Sequence, residues 1–285
     1  MAMAAAAATA APKMLSPNAV AQYRRDGYHF PVRVMPEADA LAIRARLEAY
    51  EAKSGGPMAG SLRHKPHLLF TWLWDLVHHP RVLDAVEDVI GPNILCWSSS
   101  FFIKEKRDPS FVSWHQDSTY WGLSEPEVMT AWVALSPSTV EAGAMRVIPG
   151  SHGDQIAHRD TFDKRNLLTR GQEVMVEVDG AKAVDLVLKP GEMSLHHVRL
   201  EHGSEPNRSD DRRIGIAIRY IPTHVRQVVG ERDSATLVRG VDAFRHFDHE
   251  PRPEHDLAPA AVALHKAIAE RQGTLIAEDL RGHYA

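Results

Sequence analysis

Between Asn93 and about residue 225 the chain breaks into short apolar or alternating runs: ILCWSSSFFIK, VMTAWVALS, AMRVIPG, AVDLVLKPGEMSLHH and RIGIAIRYIP. Turn residues part them, with Pro-Gly at 149–150 and 190–191 as strong chain reversals. Several short strands at this spacing suggest an all-β sandwich or barrel rather than a βαβ fold. Helical periodicity is confined to the ends. Ser16-Pro17 reads as an N-cap and first-turn pair, opening a short helix through Tyr23 that stops near Gly27. Ala38, Leu41, Ala42, Leu47 and Tyr50 recur at helical spacing up to Ser54-Gly55-Gly56. A third helix runs from Pro80 with Val82, Leu83, Val86, Val89 and Ile90 inward and Gly91-Pro92 as its stop. The segment from Pro259 to Ala277 is again helical. The expectation is a mainly β protein with flanking helices: a disordered Ala-rich tail over residues 1–14, then one domain over 15–285 with its β core at about 93–225.

Composition narrows the function. A balance of 33 Lys+Arg against 37 Asp+Glu, with no long basic run, argues against nucleic acid as a partner. The opening MAMAAAAATAAPKM lacks the basic and Leu/Val-rich segments of a signal peptide. No window approaches the roughly 18 apolar residues of a membrane span, so a cytoplasmic protein is expected, monomer or homodimer. Cys96 is the only cysteine, which excludes an internal disulfide and a cysteine-based zinc cluster. The 17 histidines are an unusually large supply of imidazoles.

In SWHQDSTYWG, His115 and Asp117 are two apart. Residues i and i+2 of an extended strand point to the same face, so both can reach one ion while Gln116 points away. That supplies two of the three ligands of a 2-His-1-carboxylate facial triad. Alone the triplet is a weak signal, equally a loop histidine beside a loop acid. Far downstream, KPGEMSLHHVRLEHGSEPNRSDDRRIGIAIRY adds His202-Gly203-Ser204 and Arg213, eleven residues beyond His202. A histidine on one strand and a basic residue on the next strand of the same sheet fit a site for a metal and a carboxylate-bearing cosubstrate. Guanidinium geometry favours a two-pronged grip on a carboxylate.

With these segments in view, the sequence resembles the phytanoyl-CoA dioxygenase family of iron(II)/2-oxoglutarate oxygenases. The similarity runs from YRRDGYHFP through WHQD, AWVALS, MRVIPGSH and HGSEPN…RR to RYIP, roughly residues 15 to 225, in the family's order. The resemblance implies a double-stranded β-helix, a jelly-roll or cupin-like core. It further implies His115, Asp117 and His202 as iron ligands, Arg213 with Ser204 on the C5 carboxylate of 2-oxoglutarate, and Trp132 and Phe101 lining that cosubstrate. Arg212 competes with Arg213, which directly precedes the apolar IGIAI run and fits the family spacing. His196 and His197 compete with His202, which alone is followed by Gly-Ser. The implied activity consumes 2-oxoglutarate and dioxygen, releases succinate and carbon dioxide, and hydroxylates or otherwise oxidises a C–H bond of a small metabolite. Halogenating relatives carry Ala or Gly where Asp117 stands, so halide transfer is not expected.

Substrate candidates are weaker. Trp114, Tyr120 and Trp121 flank the H-x-D segment and offer walls for an apolar body or a quaternary ammonium group; core packing is the alternative. Lys65 and His67, in RHKPH, offer contacts to an anionic group, or form a solvated loop. Two other classes stand beside the oxygenase. One is a metal-dependent hydrolase on the same ligands, which has no use for Arg213 and Ser204; the other is a non-catalytic barrel that binds a small ligand.

Overall fold

Ser16 and Pro17 do open a helix. The Ser16 hydroxyl accepts from the Ala19 N–H, Pro17 occupies the first turn, and Gly27 (φ 81°) closes α1 (Pro17–Asp26) by donating to the Tyr23 carbonyl. In this computed structural model residues 12–230 and 232–283 are described, without the side chains of 119, 120 and 272–283. Most of the expected tail lies outside the described residues. At the start of the described residues the N–H groups of Lys13, Met14 and Leu15 all donate to the Asp88 carboxylate.

The chain continues through β1 (Tyr28–Arg33), α2 (Glu37–Ser54), α3 (Thr71–Val77), α4 (Pro80–Ile90) and β2 (Ile94–Lys104). It then runs through β3 (Val112–His115), β4 (Met129–Ala134), β5 (Met145–Val147), β6 (His158–Asp160) and β7 (Gln172–Val174). After these come β8 (Val184–Leu186), β9 (Glu192–His197), β10 (His202–Ser204), β11 (Arg213–Pro222), β12 (Ser234–Arg239), β13 (Asp248–His249) and α5 (Pro259–His283). The sequence pattern anticipates α2 and α4 to within a few residues. It misses α3, whose seven residues carry no side-chain N-cap and whose start at TWLWDLV shows only a buried run.

Two sheets carry the architecture. The larger has the strand order β1-β9-β4-β11-β2-β12-β13, and the smaller β3-β10-β5-β8; β6 and β7 pair separately. Apart from the β12–β13 edge the pairings are antiparallel. This is the jelly-roll architecture expected. Among the described residues no helix is long and apolar enough to cross a membrane.

β11 shows how the core and the site share one strand. All ten residues are buried, but the two faces differ because side chains alternate. Ile214, Ile216, Ile218 and Tyr220 join Leu47, Leu73, Val82 and Val86 of the covering helices in one apolar cluster. The Tyr220 hydroxyl donates to the Val77 carbonyl at 2.9 Å. Burying an aliphatic side chain of this size stabilises the fold by about 2 kcal/mol, and that fixes which face of β11 turns outward. On the opposite row Arg213, Ala217 and Arg219 line a cavity, and Gly215 lies under the Trp132 ring.

Candidate active site

β3 ends at His115, sooner than an extended run through Asp117 requires, yet Gln116 keeps extended backbone (φ −113°, ψ 135°) before the turn Asp117–Tyr120. The alternation therefore survives. His115 and Asp117 line the cavity, while the Gln116 amide is turned to the neighbouring loop. There its Oε1 accepts from Ile156 N–H and its Nε2 donates to the Asp154 and Arg199 carbonyls. β10 lies beside β3 with His202 opposite His115, and the ring centroids are 4.1 Å apart. Gly203 makes this approach possible, because a Cβ there would sit 2.9 Å from the Val112 carbonyl oxygen.

Each histidine donates its Nδ1–H to a backbone carbonyl two residues back, His115 to Ser113 at 2.9 Å and His202 to Leu200 at 2.8 Å. That fixes the tautomer and leaves the Nε2 lone pair free, the arrangement metal-ligating histidines adopt. His115 Nε2 lies 3.4 Å from Asp117 Oδ1, and ligand atoms of His115, Asp117 and His202 all lie within 4.8 Å of one another. Burial, then the neighbouring His115, push the His202 imidazole well below its ordinary value, which keeps it in the neutral, ligating form. Burial alone would raise the Asp117 carboxyl, but its contact with the His115 imidazole and the fixed charge of Arg219 outweigh it and hold Asp117 ionised. Two neutral imidazole nitrogens and one carboxylate on one side of a cavity fit a ferrous ion with open positions.

The other end of the cavity is cationic. Arg213 is 2% exposed; its Nη1 donates to the Gly143 carbonyl at 2.7 Å and its guanidinium lies 5.4 Å over the Trp132 ring. Gly215 leaves room for that ring, since a Cβ at 215 would overlap it. Lys104 Nζ donates to Ser204 Oγ at 2.6 Å and to the Glu205 carbonyl. Burial pushes Arg213 down to about 10, and burial with the Arg213 charge pushes Lys104 down to about 6. A buried guanidinium and a neighbouring amine poised to regain its proton, neither hydrogen-bonded to a carboxylate, suit an incoming one. Arg212, by contrast, turns away to Glu51 and Glu105.

Several expectations need correction. His202 and Arg213 are not on one sheet: β10 belongs to the smaller and β11 to the larger, and the site lies between them. Phe101 faces the helices in the apolar cluster opposite Ile216, and it is Phe102, opposite Gly215, that lines the cavity. A one-residue error of strand phase exchanges the faces. Lys65 and His67 do not reach a substrate, for both are spent on a buried network. Lys65 Nζ pairs with Glu250 at 2.7 Å and donates to the Ser234 carbonyl, and His67 Nδ1 shares a hydrogen with Ser99 Oγ. Trp114 stands on the outer face of the smaller sheet under Arg146, in a separate groove. The Tyr120 side chain lies outside the described residues. Trp121 packs on Trp97 at 5.1 Å and under Arg219 at 5.0 Å, behind the cavity-lining residues.

Residues that the sequence pattern did not single out also build the site: Phe102, Thr130, Met145 and Arg219 line the cavity, and Lys104 stands behind its wall on Ser204. The parity of β2 and β11 carries the signal for Lys104 and Arg219, since both keep phase with Arg213. His196 faces the same space, its ring 5.0 Å from His202, whereas His197 turns to His152. Thr130 Oγ1, His196 Nδ1, Arg213 Nε and Arg219 Nε are buried without a hydrogen-bond partner, a pattern that calls for an unseen ligand.

Comparison with known proteins agrees with this geometry. The sequence model of the phytanoyl-CoA dioxygenase (PhyH) family matches residues 23–215. A probable alpha-ketoglutarate-dependent hypophosphite dioxygenase of Stutzerimonas stutzeri is 28% identical over 208 residues, 68% of this chain and 69% of that protein. The structure of the non-heme monooxygenase ThoJ in its apo form is 36% identical and superposes with a TM-score of 0.82, covering 92% of this chain and 99% of ThoJ. CytC3 with Fe(II) and alpha-ketoglutarate is 26% identical with a TM-score of 0.61, covering 83% of this chain and 93% of CytC3.

Proposed function

The chain belongs to the phytanoyl-CoA dioxygenase family and is by class an iron(II)- and 2-oxoglutarate-dependent dioxygenase; from this premise we propose that it oxidises a C–H bond of a small metabolite, in the first instance by hydroxylation. His115, Asp117 and His202 hold the iron. Arg213 and Lys104, with Ser204, hold the distal carboxylate of 2-oxoglutarate. The observation that carries this reading is that the three convergent ligand atoms share one cavity with the buried Arg213 guanidinium, with the Lys104 amine beside it on Ser204.

Iron(II) held by these three side chains would supply the oxidation chemistry, in which 2-oxoglutarate and dioxygen are consumed and succinate and carbon dioxide are formed. The protein's part is positional. Backbone carbonyls of Ser113 and Leu200 aim the two imidazoles. The Trp132 face and the Gly143 carbonyl orient the Arg213 fork. Phe102, Val112, Met145 and Ala217 keep the walls apolar, which excludes water and strengthens every charge interaction inside. With a carboxylate at 117 the reading is oxidation rather than halide transfer. A hydrolase on the same ligands gives Arg213 and Lys104 nothing to do.

The test is iron-dependent succinate formation from 2-oxoglutarate in a screen of small metabolites, with bound iron measured in parallel. His115→Ala and Asp117→Ala are each expected to abolish turnover and iron retention; full activity in either variant refutes the ligand assignment.

A further inference from the structure

Arg219 occupies the end of the cavity opposite Arg213. The two lie six positions apart on β11, roughly 20 Å of strand at ~3.3 Å per residue, with Gly215 and Ala217 between them on the same face. A 2-oxoglutarate whose distal carboxylate is held at Arg213 cannot offer that same carboxylate to Arg219. Buried guanidinium groups are ordinarily paired. Here the only hydrogen bond of the side chain among the described residues is from Nη1 to the neutral Ser100 Oγ at 3.1 Å. The Nε–H has no partner, and the Arg219 side chain is only 8% exposed. The nearest carboxylate oxygen, Asp117 Oδ2, lies 4.0 Å from Nε, beyond hydrogen-bond reach, and belongs to a group committed to the metal.

Neighbouring groups complete a receiver. Thr130 pairs directly with Arg219 across β4 and β11, and with His196 across β4 and β9. Thr130 Oγ1 and His196 Nδ1 are buried and unpartnered, and both residues line the cavity with Asp117 and His202. Trp121 covers the guanidinium face at 5.0 Å, leaving its edge as the polar surface. One cationic fork, one hydroxyl and one imidazole side by side recognise an oxyanion.

We propose that Arg219, with Thr130 and His196, binds an anionic group of the substrate, so that the enzyme acts on a small carboxylate or comparable oxyanion whose reacting carbon is presented next to His115, Asp117 and His202. This rests on the dioxygenase reading and extends it to the substrate class. Arg213 and Arg219 then divide the work: one anion from the cosubstrate at one end, one from the substrate at the other.

The experiment uses the full chain without oxygen, loaded with Fe(II) and saturating 2-oxoglutarate, and reads the charge-transfer absorption of that complex. Cyclohexanecarboxylate and its neutral isostere cyclohexanecarboxamide are titrated in. The carboxylate is expected to perturb the absorption with at least about tenfold higher affinity, the scale of one charge-assisted hydrogen bond. Arg219→Gln is expected to erase that preference while the 2-oxoglutarate affinity of the iron-loaded enzyme stays within about twofold, and Arg219→Lys to keep part of it. A carboxylate that binds no better than the carboxamide overturns the proposal. So does an Arg219→Gln variant whose 2-oxoglutarate affinity falls as far as its carboxylate affinity, which makes Arg219 a positioning residue for the metal site. Should Arg219→Gln fail to load iron, the probe pair on the wild type and on Arg219→Lys decides. Absence of the charge-transfer absorption in the wild type itself refutes the dioxygenase reading instead, and so separates the two failures.

Discussion

Lys104 is fully buried, with Nζ on Ser204 Oγ at 2.6 Å. Burial and the Arg213 charge push it from 10.5 down to about 6, against weaker support from Asp108 and Glu205. A 2-oxoglutarate carboxylate set between Lys104 and Arg213 restores the lost counter-charge and raises Lys104 toward its ordinary value. The sign follows. The bound state then holds a proton that the free state has lost above about pH 6, so affinity is greatest near and below that pH and falls as pH rises. Between about pH 7 and about pH 8 the dissociation constant is expected to grow about ninefold, close to the limit of one proton taken up per ligand, or about 1.3 kcal/mol. The assay is anaerobic titration of the iron-loaded enzyme with 2-oxoglutarate across this range, for the wild type and for Lys104→Met. Working from the difference between the two removes any contribution of the iron ligands. Lys104→Met is expected to bind more weakly at about pH 6 and to show a flat profile. A wild-type profile as flat as the variant's refutes the assignment of Lys104 to the cosubstrate.

Two further outcomes are expected. Arg213→Ala removes a buried charge-assisted grip of about 1.5–3 kcal/mol, so the KM for 2-oxoglutarate rises by roughly ten- to a hundredfold with iron content unchanged; an unchanged KM transfers the role to another residue. Lys65→Met removes the lysine cation that lies 2.7 Å from the buried Glu250 carboxylate, leaving that charge to the hydroxyls of Ser234 and Thr236 and to His67, and costs about 3–5 kcal/mol of stability. Thermal denaturation measures it, and a variant as stable as the wild type refutes the network's structural role.

Much of this protein was legible locally. The ends of α1, α2 and α4 are each marked by residues at or next to the terminus itself, Ser16, Gly27, Gly55, Pro80 and Gly91 among them, so turn chemistry and periodicity reveal them. The residue types of the site were legible too. His115 and Asp117 share a face because strand geometry makes them do so, and His202 and Arg213 stand out by their setting in HGS and RRIGIAI.

What the sequence by itself determined is therefore the alternation of each strand and the chemistry available on it. Tertiary structure decided the phase and the partners. Whether Phe101 or Phe102 faces the cavity depends on which side of β2 the helices α2 to α4 cover, a choice made by apolar burial far along the chain. The same covering turns Arg213 and Arg219 inward together. Lys65 and His67 look like free basic residues until Glu250, 185 residues beyond Lys65, closes over them. A side chain's direction follows from its own strand, but its charge is settled by whichever groups the fold brings against it, and those groups are not its neighbours in sequence.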